Sequence, residues 1–127
     1  MGVKKRVILD TNFLMLPAQF GVDVFGKLRE LLEGEYELVT SRMALFELMR
    51  LSAGRGKDAG AARVALKLVE ERKVAVEESA EPVDDWLTAE GKKGAIVCTN
   101  DGELILRLKR GKVKCVRLRG KTRIGFA

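Results

Sequence analysis

Apolar residues along this chain fall into two spacings. Short, nearly continuous apolar runs recur at Lys5 to Asp10, Tyr36 to Val39, Ala95 to Thr99 and Val113 to Leu118, with Val74 to Val76 as a shorter one. Runs of that length without polar alternation predict strands buried on both faces. Between them the spacing changes to three and four. Val24, Phe25, Leu28, Leu31 and Leu32 predict a helix over Val22 to Glu33, with Gly34 suited to its C-cap. RMALFELMRLS, capped by Thr40 or Ser41, predicts a second helix so rich in apolar residues that most of it should be buried. SAGRGKDAG reads as a flexible loop, and Ala61 to Arg72 as a helix with Lys67 and Glu71 paired four residues apart. Pro82 suits the first turn of a helix running to about Glu90, with Gly91 past its end, and Glu103 to Lys109 forms the last helix. Strands alternating with helices predict right-handed crossovers and an α/β chain: three layers, α/β/α, around a mostly parallel sheet.

The length of 127 residues suits one domain over residues 1–127, without internal repeat or linker. MGVKKRVILD lacks the long apolar core of a secretory signal, and no stretch approaches membrane-spanning length, so the expectation is a cytoplasmic protein with no membrane partner. Cys98 and Cys115 sit inside apolar runs and read as buried thiols without chemistry.

Charge divides the chain. Lys+Arg number 24 against 18 Asp+Glu, a net charge of +6, yet nine basic residues and no acid lie from Leu104 onward. Residues 1–103 therefore carry 15 basic against 18 acidic residues. An acidic body with a basic end at about residues 117–127 suggests a polyanionic partner handled near an acidic site. The plainer reading of that end is a solvated, unstructured tail.

Histidine is absent. That removes the commonest general base, the commonest zinc ligand and every Ser-His or Cys-His nucleophile. Chemistry must then rest on carboxylates, hydroxyls, amides and cations.

The acids occupy suggestive positions. Asp10 closes the first strand and Asp101 lies two residues past AIVCT, so both should open onto the carboxyl edge of a parallel sheet, where such folds build their sites. Glu47 lies inside MALFELM, on a helix read as buried, where an unpaired charge needs a partner; a salt bridge to Arg42 or Arg50 is the simplest one. Asp84 and Asp85 follow Pro82 in a first helical turn that favours acids, and Asn100 with Glu103 resembles a capping box beside Asp101. Each acid alone has an ordinary structural explanation. Together they suggest more. Carboxylates about 4 Å apart repel by roughly 4 kcal/mol per pair at an effective dielectric of 20, so a convergent set calls for a divalent cation. All-oxygen donors select Mg2+ or Mn2+, and an ion of that kind activates water against a phosphodiester.

At VILDTNFLMLPAQFGVDVF, TSRMALFELMRL, VDDWL and AIVCTNDGELILRLKRGKVKCVRLRGK the chain resembles the PIN-domain nucleases, most closely their archaeal branch related to ribosomal-RNA-processing PIN proteins. The resemblance implies a Mg2+/Mn2+-dependent endoribonuclease cutting single-stranded RNA. Its catalytic acids are carried here by Asp10, Glu47, Asp84 or Asp85, and Asp101, with Glu103 as an outer metal ligand. Thr11, Asn12 and Thr99 look like phosphate-positioning groups, and Arg117, Arg119, Lys121 and Arg123 like an RNA-binding track, with Lys4, Lys5 and Arg6 beside it. Tyr36 and Trp86 are the candidates for base stacking, Trp86 being better suited to the core. The resemblance is also compatible with a homodimer, a ribosomal precursor as substrate, or an antitoxin partner if the protein is the toxin of a toxin–antitoxin pair. From another class, the alternatives are an RNA-binding module with a retired site, and a phosphate-accepting receiver domain. The latter would want paired acids where this chain has the single acid of DTN.

Overall fold

A computed structural model describes residues 4–127. In chain order the elements are β1 (Lys5–Leu9), α1 (Thr11–Phe20), α2 (Val24–Leu31), β2 (Tyr36–Ser41), α3 (Arg42–Ser52), α4 (Lys57–Glu71), β3 (Ala75–Glu77), α5 (Val83–Lys92), β4 (Ile96–Cys98), α6 (Gly102–Arg110), β5 (Cys115–Arg119) and β6 (Arg123–Phe126). The strands form one sheet in the order β3-β2-β1-β4-β5-β6, parallel from β3 to β5 and closed by an antiparallel β6. This is the expected three-layer α/β/α arrangement.

Alternation along β1 assigns the layers. Val7 and Leu9 enter a core shared with α1 to α4, through Phe13, Leu28, Leu48 and Ala65. Ile8 points the other way, into a second core built with Leu87 of α5 and Leu104 and Leu108 of α6. No described helix is long and apolar enough to cross a membrane. Cys98 and Cys115 are buried free thiols, as expected, and burial pushes both above the ordinary thiol range.

Several elements depart from the expectations. NFLMLPAQF, which the sequence pattern leaves unassigned, forms α1, whose first turn is capped by Asp10 and whose Phe13, Leu14, Met15 and Leu16 are all buried. Apolar residues all round a helix leave no periodic contrast to read. The loop expected at SAGRGKDAG ends early, because α4 starts at Lys57; Asp58 favours its first turn, and Ala59, Ala61, Ala62 and Ala65 bury a small-residue face. Gly91 lies inside α5 rather than past its end, and its missing side chain makes room for Val113, whose Cγ1 a Cβ there would approach within 2.3 Å. The C-terminal end is not an unstructured tail: Arg123–Phe126 pairs with β5. The largest difference is in α3. It buries only Ala44 and Leu48 and leaves Met43, Phe46 and Met49 exposed.

Candidate active site

β1 is flanked by β2 and β4, so the chain reverses its direction of sheet growth between β1 and β4. At such a switch point the loops leaving adjacent strand ends diverge and open a crevice. Asp10 sits there. Its backbone N–H donates to Cys98 O (2.9 Å), tying the two strand ends together. Its Oδ1 accepts from Thr11 N (2.9 Å), and its Oδ2 accepts from Thr99 Oγ1 (2.9 Å) and more distantly from Asn12 Nδ2 (3.5 Å).

The neighbouring polar groups hold this frame. Asn12 Oδ1 accepts from Asn100 N (2.7 Å), clipping α1 to the exit of β4. Asn100 Oδ1 in turn accepts from Leu118 N (3.3 Å), joining β5 to the same edge. Asn100 therefore does not cap α6; Asp101 does, its Oδ1 accepting from Glu103 N (3.0 Å) and Leu104 N (3.3 Å). Thr11 and Thr99 are buried, and Asn12 is half-buried.

A cavity of about 640 Å3 opens above this edge, and Asp10, Glu47, Asp84 and Asp101 all line it. They arrive from β1, α3, α5 and the N-cap of α6. Glu47 corrects its expectation, because it is exposed on the cavity wall rather than buried, and no ion pair among the described residues includes it. Arg42 pairs instead with Glu78. Asp84 and Asp85 diverge: Asp84 lines the cavity, whereas Asp85 is paired with Arg107 of α6. Glu103 is exposed in the first turn of α6 and does not line the cavity.

The lining residues that escape the sequence reading include Glu81, Arg50 and Phe46. Arg50 and Phe46 follow from helical spacing, since Met43, Phe46, Glu47 and Arg50 stand at i, i+3, i+4 and i+7 on one face of α3. Glu81, just before α5, carries no signal.

Burial of its carboxyl holds the Asp10 pKa above its ordinary value. The hydrogen bonds from Thr99 and Thr11 oppose that rise, while the Asp84 and Glu47 charges add to it. Asp10 thus feels both Asp84 and Glu47. Among the described residues, however, no three of the acids stand close enough to hold an ion unaided.

The basic residues are less uniform than expected. Arg117 and Arg119 belong to β5, Lys121 lies in the turn at the carboxyl edge, and Arg123 opens β6. Arg119 is committed to β6, its guanidinium donating to Phe126 O and its side chain lying against Gly125. Lys121 and Arg123 are exposed. Arg6 is drawn instead into a cluster with Glu37, Glu77 and Glu90.

A family model described as a PIN-like domain matches residues 7–121. The chain belongs to the PIN-like domain family. This bears out the resemblance carried by the four sequence segments. The PIN-like domain is 38% identical over 102 residues to Ribonuclease VapC9 of Archaeoglobus fulgidus, across 80% of this chain and 74% of that one. Among solved structures it is similar in fold to the PIN domain endonuclease Utp24, with a TM-score of 0.74 and 23% identity over 95% of this chain and 90% of that one. It is also similar to VapBC-1 of nontypeable Haemophilus influenzae, with a TM-score of 0.53 and 17% identity over 83% and 93% of the two chains. These two likenesses concern the PIN-like fold.

Proposed function

We propose that this PIN-like domain is a metal-dependent endoribonuclease that hydrolyses phosphodiester bonds of single-stranded RNA. The observation that carries the reading is the meeting of Asp10, Glu47, Asp84 and Asp101, from four separate segments, around one cavity at the switch point of the sheet. Identity of 38% to a protein named Ribonuclease VapC9 supports RNA as the substrate class.

The donor set fits a hard divalent cation. All the carboxylates offer oxygen, and Asp10 is raised in part by the charges of Asp84 and Glu47, a repulsion that a cation would relieve. Among the described residues no three of them form a ready cage, so water and substrate phosphate would complete the shell of a bound ion. When bound, Mg2+ or Mn2+ supplies an activated water and neutralises charge on the scissile phosphate. Asp10, Glu47, Asp84 and Asp101 would hold it, one or two of them directly and the others through its bound waters.

The remaining residues prepare the site. Thr99 and Thr11 orient Asp10 and favour its ionised form, since each donates a hydrogen bond that opposes the rise in pKa that burial produces. Asn12 holds the β4–α6 turn that carries Asp101. Arg50 is the one basic side chain among those lining the cavity and suits a phosphate oxygen. Lys121 and Arg123, exposed near the carboxyl edge, suit the RNA backbone further out. With Asp85 paired to Arg107, Asp84 is the better candidate for the third acid.

The test is cleavage of an end-labelled single-stranded RNA in Mg2+ or Mn2+. Internal cuts that disappear in excess chelator are expected; equal cutting in chelator would reject the metal-dependent reading. A second reading, carried by the sequence resemblance to PIN-domain nucleases, is the toxin of a toxin–antitoxin pair. Growth arrest on expression, relieved by Asp10→Asn, would support it over a role in processing ribosomal precursors.

A further inference from the structure

The cavity that holds the acids has a second wall of different chemistry. Phe46, 50% exposed, lines it, and Met43, 40% exposed, lies one turn earlier on α3. Met43 and Phe46 are neighbours on one face of α3 and both line the cavity, so they form a contiguous apolar wall rather than scattered exposed residues. Neither aromatic residue singled out from the sequence shares this position: Tyr36 opens β2 at the amino end of the sheet, and Trp86 of α5 packs against the second core.

The electrostatics of the site ask for such a wall. Five carboxylates (Asp10, Glu47, Glu81, Asp84 and Asp101) line the cavity against the single cation Arg50, so the protein by itself repels a polyanion there. An RNA strand needs an attraction that does not depend on charge. Base stacking on an exposed aromatic ring supplies one, because every base offers a π-face whatever its sequence. Phe46 precedes Glu47 directly, and Arg50 lies one turn further along the same helical face. A base on Phe46 would therefore put its phosphate on the cavity wall that carries Glu47 and Arg50.

We propose that Phe46, supported by Met43, is a stacking platform for one nucleobase of the single-stranded RNA. This rests on the ribonuclease reading and adds a substrate-positioning residue to it. The ring's continuity with the acidic cavity and with Arg50 favours a nucleobase over a protein partner or a second copy of this chain, which would more naturally cover the outward Met49 side of α3. Phe46 holds the base; it does not touch the reacting atoms.

The experiment measures binding of a short single-stranded RNA carrying 2-aminopurine at successive positions to the Asp10→Asn protein, chosen so that binding is read without cleavage. Phe46→Ala, Phe46→Leu and Phe46→Tyr are compared in that background, with oligonucleotides abasic at the same positions as controls and sedimentation of each protein in parallel. Phe46→Ala should weaken binding by about 5- to 140-fold and abolish 2-aminopurine quenching at one position, while Phe46→Tyr retains both and Phe46→Leu does not. RNA abasic at that position should bind equally well with and without the Phe46→Ala substitution, as only a lost stack predicts. Unchanged affinity, equal weakening on abasic RNA, full retention by Phe46→Leu, or a dimer that dissociates on Phe46→Ala would overturn the platform. Metal-dependent cleavage by the otherwise native chain that Phe46→Ala leaves unaltered would remove the platform and keep the nuclease; absence of both binding and cleavage would remove both.

Discussion

Thr99 donates its hydroxyl to Asp10 Oδ2 at 2.9 Å, joining the carboxyl ends of β4 and β1 across 89 positions of sequence. The bond does two things: it fixes the rotamer of the most buried acid in the site, and it resists protonation of that acid. Thr99→Val keeps the shape and removes the bond. The variant should lose about 1–3 kcal/mol of stability and leave Asp10 with a still higher pKa. Its rate of RNA cleavage should fall, and the acid limb of its pH–rate profile should move to higher pH. Profiles of the two proteins measured at the same sub-saturating Mn2+, where proton and ion compete for Asp10, check this; superimposable acid limbs would deny Thr99 the role.

Asp10→Asn separates stability from activity. Burial raises the folded-state pKa of Asp10 above its unfolded value, so the native state binds the extra proton between the two. By linkage, stability conferred by that proton is present at low pH and is lost as pH rises through the raised value. Asn carries no such charge. In chelator at neutral pH the variant should melt no lower than the wild type, and its melting temperature should lack the decline with pH that Asp10 produces. Added Mn2+ should raise the wild-type melting temperature more than the variant's, because an ion bound to the native state stabilises it by mass action. Thermal melts from pH 4 to 8, with and without Mn2+, measure both effects.

The adjacent acids Asp84 and Asp85 should behave differently. Asp84→Asn should reduce cleavage by orders of magnitude without affecting the melting temperature appreciably. Asp85→Asn removes a pair whose side chains are 56% and 45% exposed, for which stability losses of about 1 kcal/mol or less are usual, and it should leave cleavage within a few-fold of wild type. The reverse ranking in a single-turnover assay would make Asp85 the third acid.

Much of the architecture is legible because buried parallel strands announce themselves as apolar runs, and Asp10 and Asp101 follow from where two of those runs end. What is not legible depends on tertiary position. Asp84 and Asp85 are successive helical residues about 100° apart, and only the seating of α5 against α6 decides which of them meets the cavity. The apolar content of α3 predicts a buried Glu47; its Met43, Phe46 and Met49 are instead presented outward, and Glu47 with them. RIGF is too short and too close to basic residues to read as a strand, yet it closes the sheet edge as β6.

Away from the site, Arg6 of β1 lies among Glu37, Glu77 and Glu90. The hydrogen bond from Arg6 is the main reason Glu90 titrates below its ordinary value. For a carboxyl with a depressed folded pKa, the stabilisation is present above the unfolded value and is lost as pH falls through the folded one. Glu90→Gln should therefore cost about 1.5–3 kcal/mol near neutrality and much less in acid. Urea unfolding at pH 7 and pH 3 should show the gap between variant and wild type closing; a gap independent of pH would contradict the assignment.

The central claim, that one cavity gathers four carboxylates around a divalent ion, is tested most directly by titrating Mn2+ into the wild-type protein and the Asp10→Asn, Glu47→Gln, Asp84→Asn and Asp101→Asn variants by calorimetry. Saturable binding by the wild type that each substitution weakens, with Asp85→Asn binding as the wild type does, is the predicted result. Binding that none of the four substitutions alters would contradict it.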